Sequence, residues 1–109
     1  MAFNQSERDE VTELADDLKD ALSVRVDPQV DDMFKAFKYQ MLVKDLDEFI
    51  EYAPSGSNTG IINRAKRLFS RYVSLMGSFV RDNDNRVFYT RTWREFIQFM
   101  AFVEANNDN

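Results

Sequence analysis

Residues 54–81 read PSGSNTGIINRAKRLFSRYVSLMGSFVR, and the reading of this stretch decides the fold class. Residues 54–60 hold one of the two prolines and two of the three glycines in the chain. Proline has no amide to donate and glycine has no Cβ to restrain it, so regular structure stops here. The residues that follow change character. Ile61, Ala65, Leu68, Tyr72, Leu75, Met76 and Phe79 recur at steps of three and four, which places them on one side of a helix. Arg64, Arg67, Arg71, Ser74 and Ser78 fall along the other side. The pattern predicts a helix over 58–81, capped by Asn58 or Thr59. A connection of this length is ordinary between the helices of a bundle, so 54–60 reads as a loop inside one domain.

Working towards the N-terminus, Asp27 can cap a second helix, Pro28 suits its first position, and Asp31 and Asp32 occupy its first turn. Its buried side is read as Val30, Met33, Phe34, Phe37, Met41, Val43, Leu46, Phe49 and Ile50. A helix over 28–52 would be about 37 Å long, with a bend expected over 41–44, where the apolar face drifts. Before it, Ser6 with Asp9 three residues on reads as a helix start. Val11, Leu14, Leu18 and Leu22 then form a narrow apolar stripe on a strongly charged helix over 6–23. Residues 24–26 read as a short extended link.

Towards the C-terminus, residues 82–91 (DNDNRVFYTR) read as a turn and a short β-prone run, taken here as a loop. Thr92 with Glu95 matches a capping box, which starts a last helix over 92–105. That helix is apolar almost all round. Trp93, Phe96, Ile97, Met100 and Val103 form the face expected to be buried, and Phe99 and Phe102 project away from it. There is no internal repeat. The expected architecture is all-α, a compact bundle of about four helices with short connections, in a single domain spanning 1–109.

Composition narrows the chemistry. The chain has 109 residues, 44% of them apolar and 30% charged, which is a globular balance with room for one core. Aromatic residues reach 14%, ten of them Phe, so apolar area is in surplus. There is no Cys, hence no disulfide framework and no thiolate. There is no His, which removes the commonest general base and the commonest transition-metal ligand. Ser-His and Cys-His nucleophiles are excluded, and an enzyme is not expected. Asp82, Asn83, Asp84 and Asn85 look like the start of a calcium loop, but the glycine at its sixth position and the glutamate at its twelfth are missing. Gly56 and Gly60 precede a helix without the Lys-Ser/Thr of a phosphate loop. No cofactor and no metal are expected. No window resembles a secretory signal or a membrane span, so the expected location is the cytoplasm, away from membranes.

Charge is unevenly placed. Residues 1–52 carry 14 acids and 6 bases, and residues 53–109 carry 5 acids and 8 bases. Carboxylates along a helix can imitate the spacing of a phosphate backbone and steer a protein towards a basic partner. Asp16, Asp17, Asp20, Asp31 and Asp32 are the acidic candidates for such contact, and Phe99, Phe102, Phe88 and Tyr89 are the aromatic anchors. The expected function is a small acidic interaction protein that binds another protein, for example a basic nucleic-acid-handling protein. Regulators, inhibitors and immunity proteins of phages or plasmids share this profile, and a homodimer is a second way to cover the last helix. The alternative is a helical subunit of a nucleoprotein assembly, contacting RNA or DNA backbone through Arg64, Arg67, Arg71, Arg81 and Arg86.

Overall fold

The heptad logic of four amphipathic segments is realised directly in the computed structural model, which describes residues 3–23, 33–79 and 86–106, with side chains over 3–22, 37–77 and 92–106. Among these residues four helices form: α1 (Gln5–Ser23), α2 (Met33–Tyr52), α3 (Asn58–Phe79) and α4 (Arg86–Asn106). The protein is an all-α four-helix bundle, as its periodicity predicts. Helix α1 packs on α2 and α4, and α3 packs on α2 and α4, so α1 and α3 stand diagonally across the bundle. The bundle measures 43 × 20 × 20 Å.

Each helix buries the same spacing. Val11, Ala15, Leu18 and Leu22 do so in α1, and Leu42, Leu46 and Phe49 in α2 with Ala53 just beyond it. Ile61, Ala65, Leu68, Tyr72 and Leu75 do so in α3, and Thr92, Phe96, Phe99 and Val103 in α4. Steps of four and three keep one seam facing the partners, which is the packing of a four-helix bundle. One continuous core draws on all four helices.

Several expectations are corrected. In α2 the seam runs through Leu42, with Met41 and Val43 half-buried beside it, and Phe37 is 63% exposed. The apparent drift of the apolar face came from reading Met41 and Val43 as the seam, and α2 passes through 41–44 as one unbroken helix. The start expected at 28, with Val30, Asp31 and Asp32, lies outside the described residues. In α4 the helix starts at Arg86, so 87–91 are helical and not a loop. The β-propensity of Val87, Tyr89 and Thr90 amounts to a few tenths of a kcal/mol per residue, small enough for the cooperative extension of a long helix to override.

Thr92 is therefore no cap. It occupies a seam position, fully buried, and its Oγ1 lies 2.7 Å from Tyr72 Oη of α3. A buried hydroxyl keeps its place only with a partner, so this pair pins the register of α4 against α3. Thr92→Val keeps the shape and removes the hydroxyl. It should lower stability by about 1 kcal/mol in chemical denaturation. An unchanged midpoint would mean that this hydrogen bond does not set the register.

The caps also move. Asn4 Oδ1 accepts from Glu7 N at 2.8 Å while Glu7 Oε1 accepts from Asn4 N at 2.9 Å, a reciprocal box two residues earlier than Ser6 and Asp9. Ser57 caps α3, its Oγ accepting from Gly60 N at 3.0 Å. Asn58 is then free to accept from Phe3 N at 3.1 Å, tying the start of the chain to the start of α3.

Candidate interaction surfaces

Helix α1 presents one continuous acidic face. Its sequence holds seven acids and two bases, and Asp9, Glu10, Glu13, Asp16, Asp17 and Asp20 are all exposed. The cause is its seam: Val11, Ala15, Leu18 and Leu22 turn inward, which leaves the charged positions on the outer half of the cylinder. At 1.5 Å per residue the face runs about 17 Å. Lys19 leans away from it and pairs with Asp47 of α2 at 2.5 Å. The Asp47 hydrogen bond and charge hold the Lys19 ammonium above its ordinary value, with Asp16 and Asp20 adding to the shift. Of the acidic candidates, Asp16, Asp17 and Asp20 sit together here, and Asp31 and Asp32 lie outside the described residues.

Helix α3 is the reverse, with four bases and no acid. Its arginines do not form one free ridge. Arg71 pairs through Nε with Asp45 of α2. Arg64 donates to Gly60 O at 3.3 Å and lies 3.6 Å above the centre of the Tyr52 ring. Arg67 is exposed and, with Arg64, Asp45 and Glu48, lines a cleft of about 10 Å³, the size of one water. The partner of Arg71 is thus on α2 and not on α1. Arg81 lies outside the described residues, and Arg86 opens α4 with its side chain outside them.

The turn between α2 and α3 forms a clamp that periodicity does not reveal. Tyr52 Oη accepts from Ser57 N at 3.0 Å and stands 3.0 Å from Ser57 Oγ. Arg8 donates to Ala53 O and to Gly56 O, and Gln5 Nε2 donates to Pro54 O at 3.4 Å, so α1 closes the same end. Hydrogen bonds from the Ser57 side chain and backbone hold the Tyr52 hydroxyl below its ordinary value of 10.0, with Arg64 and Arg8 adding to the shift and burial opposing it. Over the interval between the lowered value and 10.0 the folded state binds fewer protons than the unfolded chain, so stability rises with pH there. The early edge of the phenolate absorbance titration should accordingly be lost in Tyr52→Phe. An edge unchanged by that substitution would mean that the clamp does not form in solution.

The aromatic candidates are redistributed. Phe99 is fully buried, edge-to-face with Phe49 at 5.3 Å and with Phe96 at 6.3 Å. It is a core residue and not an outward anchor. Phe102 is half-buried against the core margin. Phe88 and Tyr89 fall within the helical backbone of α4, their side chains outside the described residues. In the described part of α4 the exposed large apolar side chains are instead Trp93 and Ile97, which the sequence places on the buried face. The presence of Thr92 in the seam rotates the stripe by about one position.

Among the described residues no helix is long and apolar enough to cross a membrane. No protein-family model, curated protein or solved structure matches the chain. Fold and surface therefore define the class, a four-helix bundle with one acidic helix and one basic helix on opposite edges.

Proposed function

We propose that the protein is a small non-catalytic interaction protein that docks the outer face of α1 on a basic surface of another protein. The carrying observation is the set of six exposed carboxylates on one face of one helix, with the opposing basic helix on the far edge of the bundle. Such an arrangement gives the molecule a field with direction, which orients it during encounter and raises the association rate with a basic target. The lack of any His or Cys supports a binding role over a catalytic one. A nucleic-acid-handling protein, whose own groove is built for phosphates, is the partner whose chemistry fits best. Regulation or inhibition of that protein is the role proposed.

The nucleic-acid alternative draws less support, because Arg71 and Arg64 are already engaged with Asp45, Gly60 and Tyr52. Binding to phosphate backbone grows with the number of phosphates neutralised, and few cations remain for it on α3.

The test is a triple charge reversal, Glu13→Lys/Asp17→Lys/Asp20→Lys, compared with wild type in capture from lysate of the source cells followed by binding kinetics. Basic proteins held by wild type should be lost in the variant, and their association rate should fall by about tenfold or more at low salt. The variant should remain folded, since all three positions are exposed. Retention of the same proteins by the variant would sink the reading. Capture of RNA or DNA alone would favour the alternative.

A further inference from the structure

Where α3 packs on α4, apolar side chains of both helices stay at the surface along the trough between them. Phe69 and Val73 lie one turn apart on α3, and Trp93 and Ile97 lie one turn apart on α4. Trp93 reaches across the seam, with ring centres 6.0 Å from Phe69 and 6.1 Å from Tyr72, so the two rows belong to one surface. Val73 is 46% exposed, Ile97 44% and Trp93 36%. Two parallel rows of apolar side chains on adjacent helices are the shape into which an amphipathic helix lays its i, i+3, i+4 and i+7 anchors.

The margins of the trough select the sign of the occupant. Lys66 and Arg94 are both exposed, each three residues from a trough residue on its own helix, and α3 carries no acid at all. Among the described residues the acid that shares the Ile97 side of α4 is Glu104, two turns further on. A second copy meeting this surface face to face would bring like charges together. Nor can α1 of a second copy fill it, since the exposed side of α1 is charged and its apolar side is buried.

A separate observation comes from Gly77. It sits inside α3, one turn beyond Val73, where glycine weakens a helix. A Cβ added there would meet no atom of the described residues within 4 Å, and its φ is not positive. Among the described residues neither packing nor backbone conformation calls for glycine, whereas close approach by another chain would use one.

We propose that the α3–α4 trough docks an acidic amphipathic helix of a partner protein. This surface is distinct from the α1 face and does not depend on it. With both occupied, the bundle bridges a basic partner on one edge and an acidic helix on the other.

Trp93 is the single tryptophan of the chain and reports directly on the trough. The probes are two synthetic peptides with one apolar pattern (Leu at i, i+3, i+4 and i+7), the polar positions Glu-rich in one and Lys-rich in the other. The Glu-rich peptide should shift Trp93 emission to shorter wavelength in a saturable way, and bind about tenfold tighter than the Lys-rich one. Lys66→Glu/Arg94→Glu, both surface changes that leave the core intact, should reverse that preference. Gly77→Ala should weaken binding of the Glu-rich peptide while leaving the fold at least as stable by circular dichroism. Equal binding of the two peptides, no shift with either, or a blue shift that grows with protein concentration alone would each overturn the proposal. The last of these would place a second copy in the trough.

Discussion

Phe99→Ala is expected to cost about 3–5 kcal/mol, the range for emptying a fully buried aromatic site. Phe99 has no exposed surface, and its ring meets the edge or face of both Phe49 and Phe96, so three rings from two helices interlock at one level of the bundle. Removing one leaves a cavity that rigid helices cannot close, and the two remaining rings lose their edge-to-face partner. A domain of this size holds roughly 5–15 kcal/mol in total, so the variant retains a small margin and its melting temperature should fall by on the order of 10–20 °C. Phe102→Ala, three residues on and only half-buried, should cost about 1–2 kcal/mol. Urea denaturation of both variants gives the comparison. Equal costs would mean that α4 sits in another register, with Phe99 at the margin.

That contrast also governs how binding experiments are designed. An acidic substitution at Phe99 would abolish every interaction by unfolding the chain, which is indistinguishable from loss of an interface. Charge changes on α1 and at Lys66 and Arg94 avoid this confusion, because all those side chains are exposed.

The helical class and the faces of α1 and α3 were legible in the sequence because their patterns have only one reading. In α3, arginines and serines take one side, and Ile61, Ala65, Leu68, Tyr72, Leu75 and Met76 on the other are all buried, with Ile62 beside them. In α4 the pattern is degenerate. Apolar residues at 93, 96, 97, 99, 100, 102 and 103 permit several stripes, and periodicity cannot choose among them. The choice is made by a polar residue, Thr92, which satisfies its hydroxyl on Tyr72 and carries Phe96, Phe99 and Val103 inward with it. A cap motif that matched Thr92 and Glu95 concealed this, since the same spacing occurs inside helices. At the start of α1 two overlapping motifs competed. Asn4 with Glu7 won over Ser6 with Asp9, and the neighbouring Phe3 and Gln5 are tied to the α2–α3 turn, a contact across about fifty residues that no local rule contains.

The surfaces followed the same division. The acidic face of α1 could be read directly, because a narrow apolar stripe leaves little choice about what faces outward. The neutralisation of Arg71 by Asp45 could not, since it depends on which helix lies beside α3. The ring order of the bundle, which makes α2 a neighbour of α3, decides that pairing.

The turn between α2 and α3 yields the second large effect, through its two glycines. Neither Gly56 nor Gly60 has positive φ, so backbone freedom is not what keeps glycine at these sites. Space is. A Cβ on Gly60 would stand 1.9 Å from Tyr52 Oη, and one on Gly56 would stand 2.1 Å from Tyr52 Cε1. In Gly60→Ala the Tyr52 ring must leave its place, giving up both contacts with Ser57 and the stacking of Arg64. The expected cost is about 1–3 kcal/mol, as for other overpacked sites. The same substitution in a Tyr52→Ala background meets no ring. There, alanine in the first turn of α3 should be neutral or stabilise by up to about 1 kcal/mol, because it improves helix propensity. The sign of the Gly60→Ala effect should thus depend on whether Tyr52 is present, with a coupling of about 1–3 kcal/mol in a double-mutant cycle. Urea denaturation of the four proteins measures it. A Gly60→Ala penalty of the same size in both backgrounds would show that Tyr52 does not close this turn. A full coupling would show that one aromatic ring, held by Ser57 and Arg64, joins the end of α2 to the start of α3.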